Sequence, residues 1–220
     1  MNLVSEHIPL WWDAVLWLAL LVLGVAMIRR AAWPMLADRD NQRVFLVTSG
    51  VVLGLWLIRT GVKPGLDFHL LGASALTLMF RPWFAILALA LVTGAFTLHS
   101  GEYAAYPANL MLMGVLPVAV SWGIYRLVDS RLPNHLFIYI FLNGFFGAAL
   151  AIGMVGVAST LFAAATGAYT LAYLAEEYLP FYFLMAWAEA FATGMLITLL
   201  VVYRPEWVAT FDDRRYLLNR

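Results

Sequence analysis

The sequence predicts an all-α, polytopic integral membrane protein of about seven transmembrane helices, and three observations lead there. Hydrophobic residues make up 64% of the 220-residue chain and charged residues only 12%, where a soluble globular chain carries about 25% charge. The apolar residues gather into runs near the length a bilayer demands, about 17–25 residues. The basic residues between those runs fall mostly on alternate connections, as they do in membrane proteins that span an odd number of times. A mean hydropathy of +0.84 fits the same class. Thirteen basic against thirteen acidic residues leave no net charge, which argues against binding nucleic acid through its phosphates. The chain has no cysteine, so disulfides, thiolate metal sites and redox thiols are excluded. No stretch shows the alternating ten-residue pattern of a membrane barrel, and no repeat or low-complexity segment appears.

The runs are approximately 10–28, 44–58, 67–80, 83–98, 107–125, 136–165 and 180–203, in one transmembrane domain with a cytoplasmic tail at 204–220. The first opens on Leu10-Trp11-Trp12 with no basic n-region before it and no small-residue cleavage site after it, so a cleaved signal peptide is not expected. The third and fourth are short and would span only about 21 and 24 Å as helices; flanking residues must supplement them or the bundle must bury them. Pro107 opens the fifth run and Pro117 is placed to kink it. Gly144 and Gly147 in the sixth allow close helix approach. The sixth is long enough to tilt or overhang the bilayer.

With the N-terminus outside and the C-terminus inside, 11 of the 13 basic residues face the cytoplasm and only Arg59 and Lys63 face out. Tryptophans at positions 11, 12, 83, 122 and 207 fall near run ends, where indoles favour the interface. The outer side carries Glu6, Asp67, Glu102, Glu176 and Glu177 against those two cations. A negative mouth of this kind attracts cations.

Ionisable residues within or beside spans are costly in lipid and each calls for a role. His69 opens the third run after the turn-rich stretch 63–68, and as a residue at a span entrance it is expected to add little to core packing. Three of the four histidines, His7, His69 and His99, fall on the outer side with acidic neighbours. Imidazole with carboxylate or carbonyl oxygen suits nickel, cobalt, copper or zinc when thiolates are absent. Glu189 lies nine residues into the seventh run, about 13.5 Å deep by helical rise, so it must face the bundle, either protonated or paired with a cation or donor. One reading has it bonded to Asn143 in the sixth run; another makes it a ligand. Asn109 and Asn143 offer side-chain carbonyls or serve as helix glue. Asp13 lies in the first turn of its helix, where the dipole favours it. The Asp212–Arg215 run reads as a solvated, salt-bridged tail end, with docking of a partner as the alternative. No phosphate-binding loop and no nucleophile–base pair is visible, so an enzyme is not expected.

Two blocks carry a resemblance to a known family: FHLLGASALTLMFRPW at 68–83 and AAYPANLMLMGVLP at 104–117. They resemble the substrate-capture subunits of cobalt and nickel energy-coupling-factor transporters, the CbiM/NikM type. That family shows a His-Leu-Leu-Gly opening, matched at His69–Gly72, a Gly-Pro-Trp end, matched at Pro82 and Trp83 with Arg81 in place of glycine, and an Asn-x-x-x-Met-Gly segment, matched at Asn109, Met113 and Gly114. The NGFFGAAL block and the RPEWVATFDDRRY tail are similar to the stand-alone permease branch of the family. The resemblance implies a transport scaffold in the bacterial cytoplasmic (inner) membrane, with His69 as a metal ligand and no cofactor beyond a bound divalent metal (Co, Ni, Zn or Cu). It also implies a coupling transmembrane subunit and a separate ATPase as partners. The family completes its planar nitrogen site with an N-terminal Met-His pair, whereas this chain begins Met1-Asn2. Either His7, His99, Asp67 or Glu189 replaces those ligands, or the metal differs, or the site has been lost. Asp67, His99 and Glu189 therefore join His69 as metal candidates, and Asn109, Asn143, His7, Glu102 and Glu177 are candidates for substrate binding.

The expected function is uptake of a divalent transition-metal cation captured from the outer face. The alternative is a membrane scaffold or assembly factor for a respiratory or envelope complex, in which the polar residues are only helix glue. Small residues at Val15, Ala19, Val22 and Ala26, and at Gly144, Gly147, Ala148 and Gly153, are the surfaces on offer to a coupling subunit.

Overall fold

The computed structural model describes residues 10–61, 63 and 66–218. Helix α1 runs Leu10–Arg30 and α2 runs Arg39–Leu57. A two-residue hairpin follows, β1 at Thr60–Gly61 paired antiparallel with β2 at Asp67–Phe68. Then come α3, Ala73–Ser100; α4, Tyr103–Arg131, and α5, Leu136–Ala165; the short α6, Leu171–Glu177; and α7, Leu179–Tyr203. Five of these, α1, α3, α4, α5 and α7, are long and apolar enough to cross a membrane. Apart from that hairpin the described chain is built of helices, and the protein is a multi-pass membrane protein of the all-α class.

Helices α3, α5 and α7 form the centre. Lipid is as apolar as leucine, so close packing rather than exclusion from water must hold them together. At the α5–α7 seam a Cβ on Gly156 would strike the Tyr182 ring and one on Gly194 would strike Phe145. Gly144 and Ala148 face inward here, so those small residues pack the bundle's own helices. Helix α1 differs. Its residues Val15 and Val22 are 53% and 62% exposed, and it touches the bundle through rings such as Trp12 on Phe162 and Trp17 on Tyr106.

The expected runs 67–80 and 83–98 turn out differently. Residues 69–72 are not helical, helix begins only at Ala73, and a single helical element continues to Ser100. It is broken at Arg81, whose φ of 63° and ψ of 169° are not helical. Arg81 is the only non-glycine residue at positive φ among those described. Pro82 explains the extended ψ, because its ring bars the helical region to the residue before it. The break divides α3 into a short limb, 73–80, and a long limb, 82–100. All eight residues of the short limb are buried, which fits the expectation that short runs need the bundle around them. In α4 the turn Met111–Val115 is π-helical just ahead of Pro117, where proline's missing N–H removes a bond from the helical ladder.

The Asp212–Arg215 run is largely exposed and ion-paired, as expected, but the tail on either side of it packs against the bundle. Asp212, Asp213 and Arg214 are exposed, but Val208, Thr210, Phe211 and Tyr216 are buried. A helix that stops leaves its last carbonyls without partners, and in a bilayer each such group costs several kcal/mol. The tail supplies the partners. Ala209 N–H donates to Met79 O at 3.0 Å and Thr210 N–H to Leu78 O at 3.2 Å. Thr210 Oγ1 donates to Leu78 O at 2.7 Å and lies 2.6 Å from the Tyr139 hydroxyl. The Arg81 guanidinium donates to Ala209 O at 3.3 Å, and Arg215 pairs with Asp129 at 2.7 Å.

Candidate metal centre

The centre is built on the stretch that joins the hairpin to the short limb of α3. At its start Arg59 Nη1 meets Asp67 Oδ2 at 2.6 Å, with the guanidinium 5.0 Å from the Phe96 ring centre. From Phe68 onward the chain turns inward: Phe68, His69 and Leu71 are all buried. Gly72 then starts the helix in the left-handed region, φ 66° and ψ 4°. A Cβ there would approach Val52 Cγ2 to 2.9 Å, so both backbone and space require glycine.

The polar groups of this turn are held from two sides. Glu189, at the middle of the 25-residue α7, accepts Leu71 N–H on Oε2 and Gly72 N–H on Oε1, both at 2.8 Å. From α2, Trp56 Nε1–H donates to Leu71 O at 3.2 Å. The Trp56 ring also lies against the His69 imidazole, 4.5 Å between centroids. His69 Nδ1 is 3.2 Å from Leu70 O. His69 Nε2 is fully buried with no hydrogen-bond partner among the described residues. Buried polar atoms in native proteins are nearly always satisfied, so an orphaned imidazole nitrogen beside a fixed turn is a place for an electron-pair acceptor. An unprotonated Nε2 suits a borderline cation such as cobalt or nickel.

The remaining candidates sort clearly. His69 is not at an entrance: it is only 4% exposed, packs on Trp56, and is joined by its own turn to mid-height of α7. Its removal therefore leaves a gap in the core. Asp67 is engaged by Arg59. His99 is exposed at the far end of α3, and Glu177 is exposed at the end of α6. Glu102 is half-buried in the connection after α3, with its N–H donating to Ser100 Oγ at 3.4 Å. Asn109 is buried on α4. Asn143 is 2% exposed, and neither side-chain polar atom has a partner among the described residues. The bond expected between Glu189 and Asn143 is not made, because the carboxylate is occupied by the turn. His7 lies outside the described residues. Among the described residues no three of His, Asp and Glu gather as a set able to hold a metal, so His69, Asp67, His99 and Glu189 do not converge. Trp56 was missed in the sequence, where it reads as one more aromatic residue in an apolar run. Its signal is that a buried indole N–H needs an acceptor.

Comparison with known proteins places the chain in a family. Residues 2–207 match the family model CbiM, described as cobalt uptake substrate-specific transmembrane region. A crystal structure described as a truncated transition metal transporter superposes with a TM-score of 0.79 at 19% identity, covering 92% of this chain and 99% of that one. A second, described as a transition metal transporter, gives 0.77 at 18% identity, covering 91% and 92%. None of the curated proteins compared with it matches the sequence. With a family match over nearly its whole length and the His-Leu-Leu-Gly turn at the heart of its bundle, the chain belongs to the CbiM family of cobalt uptake transmembrane proteins.

Proposed function

We propose that this protein is the substrate-specific membrane subunit of an energy-coupling-factor-like uptake system, capturing a divalent transition-metal cation from the outer face. The observation that carries the reading is the buried His69 Nε2, which has no partner among the described residues in a turn fixed by Glu189 on the N–H groups of Leu71 and Gly72 and by Trp56 on Leu71 O. His69 is the central ligand, and the donors that close the coordination shell come from outside the groups engaged in the turn. The chain crosses the bacterial cytoplasmic membrane seven times, N-out and C-in, with stretch 67–80 as the third crossing, part extended and part helix. The 11-to-2 division of basic residues supports that orientation. The sequence holds no phosphate-binding loop, so separate coupling and ATPase subunits supply the energy.

Metal analysis of the purified full-length protein tests the ligand. His69→Phe keeps a ring against Trp56 and removes both nitrogens. The parent is expected to retain nickel or cobalt through chelator washing while the variant loses it, because a missing donor opens the coordination shell. A metal-free parent after growth in metal-supplemented medium would end the reading. Reporter fusions after Glu102 and Arg220 should report opposite sides of the membrane; the same side for both would remove the topology. Affinity capture in nanodiscs should bring a coupling subunit with it, and metal accumulation by the chain alone in cells lacking such subunits would refute the partnership.

A further inference from the structure

We infer that Glu189 is the positioning residue of this centre: by accepting the N–H groups of Leu71 and Gly72 it holds the 69–72 turn so that His69 carries its hydrogen on Nδ1, facing Leu70 O, and keeps the Nε2 lone pair free inside the bundle. The inference rests on the reading of His69 as a ligand for its consequence, though not for its geometry.

A carboxylate in the middle of an apolar helix must be met by donors or it costs too much to keep there. Here two consecutive amides meet it, one on each oxygen, at 2.8 Å. Successive N–H groups beside a left-handed residue form a concavity that favours an anion, and Gly72 supplies the left-handed residue. The two bonds join segments 117 and 118 residues apart in the chain. They therefore pin the turn to α7 rather than to its own neighbours.

Trp56 completes the clamp from the other side. Its N–H donates to Leu71 O while its ring backs the imidazole, so Leu71 is held at both its N–H and its C=O by two different helices. With the turn fixed, the nearest acceptor to the imidazole is Leu70 O, 3.2 Å from Nδ1. A neutral imidazole that donates from one nitrogen presents the other as an acceptor. Nε2 has no described partner to take its lone pair, which is the state a metal ligand requires. Histidine ligands in general have their second nitrogen fixed in this way, by a carbonyl or a carboxylate. Glu189 acts one step further back, on the backbone that carries the carbonyl.

The test uses the full-length, chelator-treated protein in nanodiscs with nitrogen-labelled histidine. The His69 signals among the four histidines are assigned by their loss in His69→Phe. The parent is expected to show the Nδ1–H tautomer at His69. Glu189→Gln offers one acceptor oxygen and sets an amide N–H against the second backbone donor. It should give a mixture of tautomers and weaken nickel or cobalt affinity by about 10–100-fold. Trp56→Phe retains the ring and loses only the N–H; it should shift the tautomer ratio in the same direction by less. Glu189→Asp should restore part of the parental pattern. An Nε2–H tautomer in the parent overturns the inference, as do parental His69 signals in Glu189→Gln. If Glu189→Gln does not fold, parental His69 signals in both Trp56→Phe and Glu189→Asp overturn it instead. If the parent holds the Nδ1–H tautomer, Glu189→Gln scrambles it, and neither binds metal, the clamp stands and the ligand reading alone fails.

Discussion

The short limb of α3 meets the same physical demand at both ends and answers it in two ways. At its start, the N–H groups of Leu71 and Gly72 are taken by one side chain, Glu189, with Trp56 holding the neighbouring carbonyl. At its end, the carbonyls of Leu78 and Met79 are taken mainly by the backbone of the tail, with Thr210 and Arg81 adding side-chain bonds around it. The first end is a point contact and the second resembles one rung of a sheet. A point contact concentrates function: a single carboxylate sets the orientation of the turn that carries His69. A backbone contact spreads the load, because no one side chain supplies it. The limb between them is eight residues, about 12 Å of helix, so the buried imidazole and the C-terminal tail are attached to the two ends of one rigid element.

If this contrast is right, substitutions at the first end should cost more than substitutions at the second. Glu189→Ala should be the most damaging, since it leaves two buried N–H groups without acceptors at about 1–3 kcal/mol each; thermal unfolding in detergent would measure it, and a loss near zero would break the comparison. Gly72→Ala should follow, with about 1–2 kcal/mol for the left-handed backbone and a further cost from the approach to Val52. The same unfolding assay reads it, and rescue by a Val52→Ala partner would separate the steric part. At the other end, Thr210→Val removes the hydroxyl shared by Leu78 O and Tyr139 while the backbone bond to Leu78 remains, so a loss of about 1–2 kcal/mol is expected. Metal binding by Thr210→Val should stay at the parental level, which equilibrium dialysis would check. Smallest is Arg81→Gly: relief of the positive φ offsets the lost bond to Ala209 O, and the net change should be under about 1 kcal/mol. A large loss there would show that the arginine, rather than the tail backbone, holds the break.

The two ends were not equally legible in the sequence. At the first, His69 and Glu189 stood out because ionisable residues are rare in apolar runs, and Gly72 sat within a block already singled out. Their relation did not stand out: Asn143 looked a reasonable partner for Glu189, since both sit in apolar runs that could be neighbours. Trp56 passed unnoticed because a tryptophan in a membrane span needs no special reason to be there. At the second end Arg81 and Pro82 marked a boundary between runs, and the structure places the helix break there. The part of the tail that caps this break carries no such mark: Asp212–Arg215 dominate the composition there, and Val208, Thr210 and Phe211 are too few to form a recognisable run.

What the sequence by itself determined is the class: a helical chain with several segments apolar enough for lipid. Apolar length and the placement of charge mark such segments, since that sum over residues needs no knowledge of neighbours. Only the tertiary structure decided which polar groups satisfy one another. A broken helix orphans backbone groups that have no sequence signature, as every residue carries the same N–H and C=O. Their partners, Glu189 from 117 residues away and Ala209 from 130, become available only when the chain has folded.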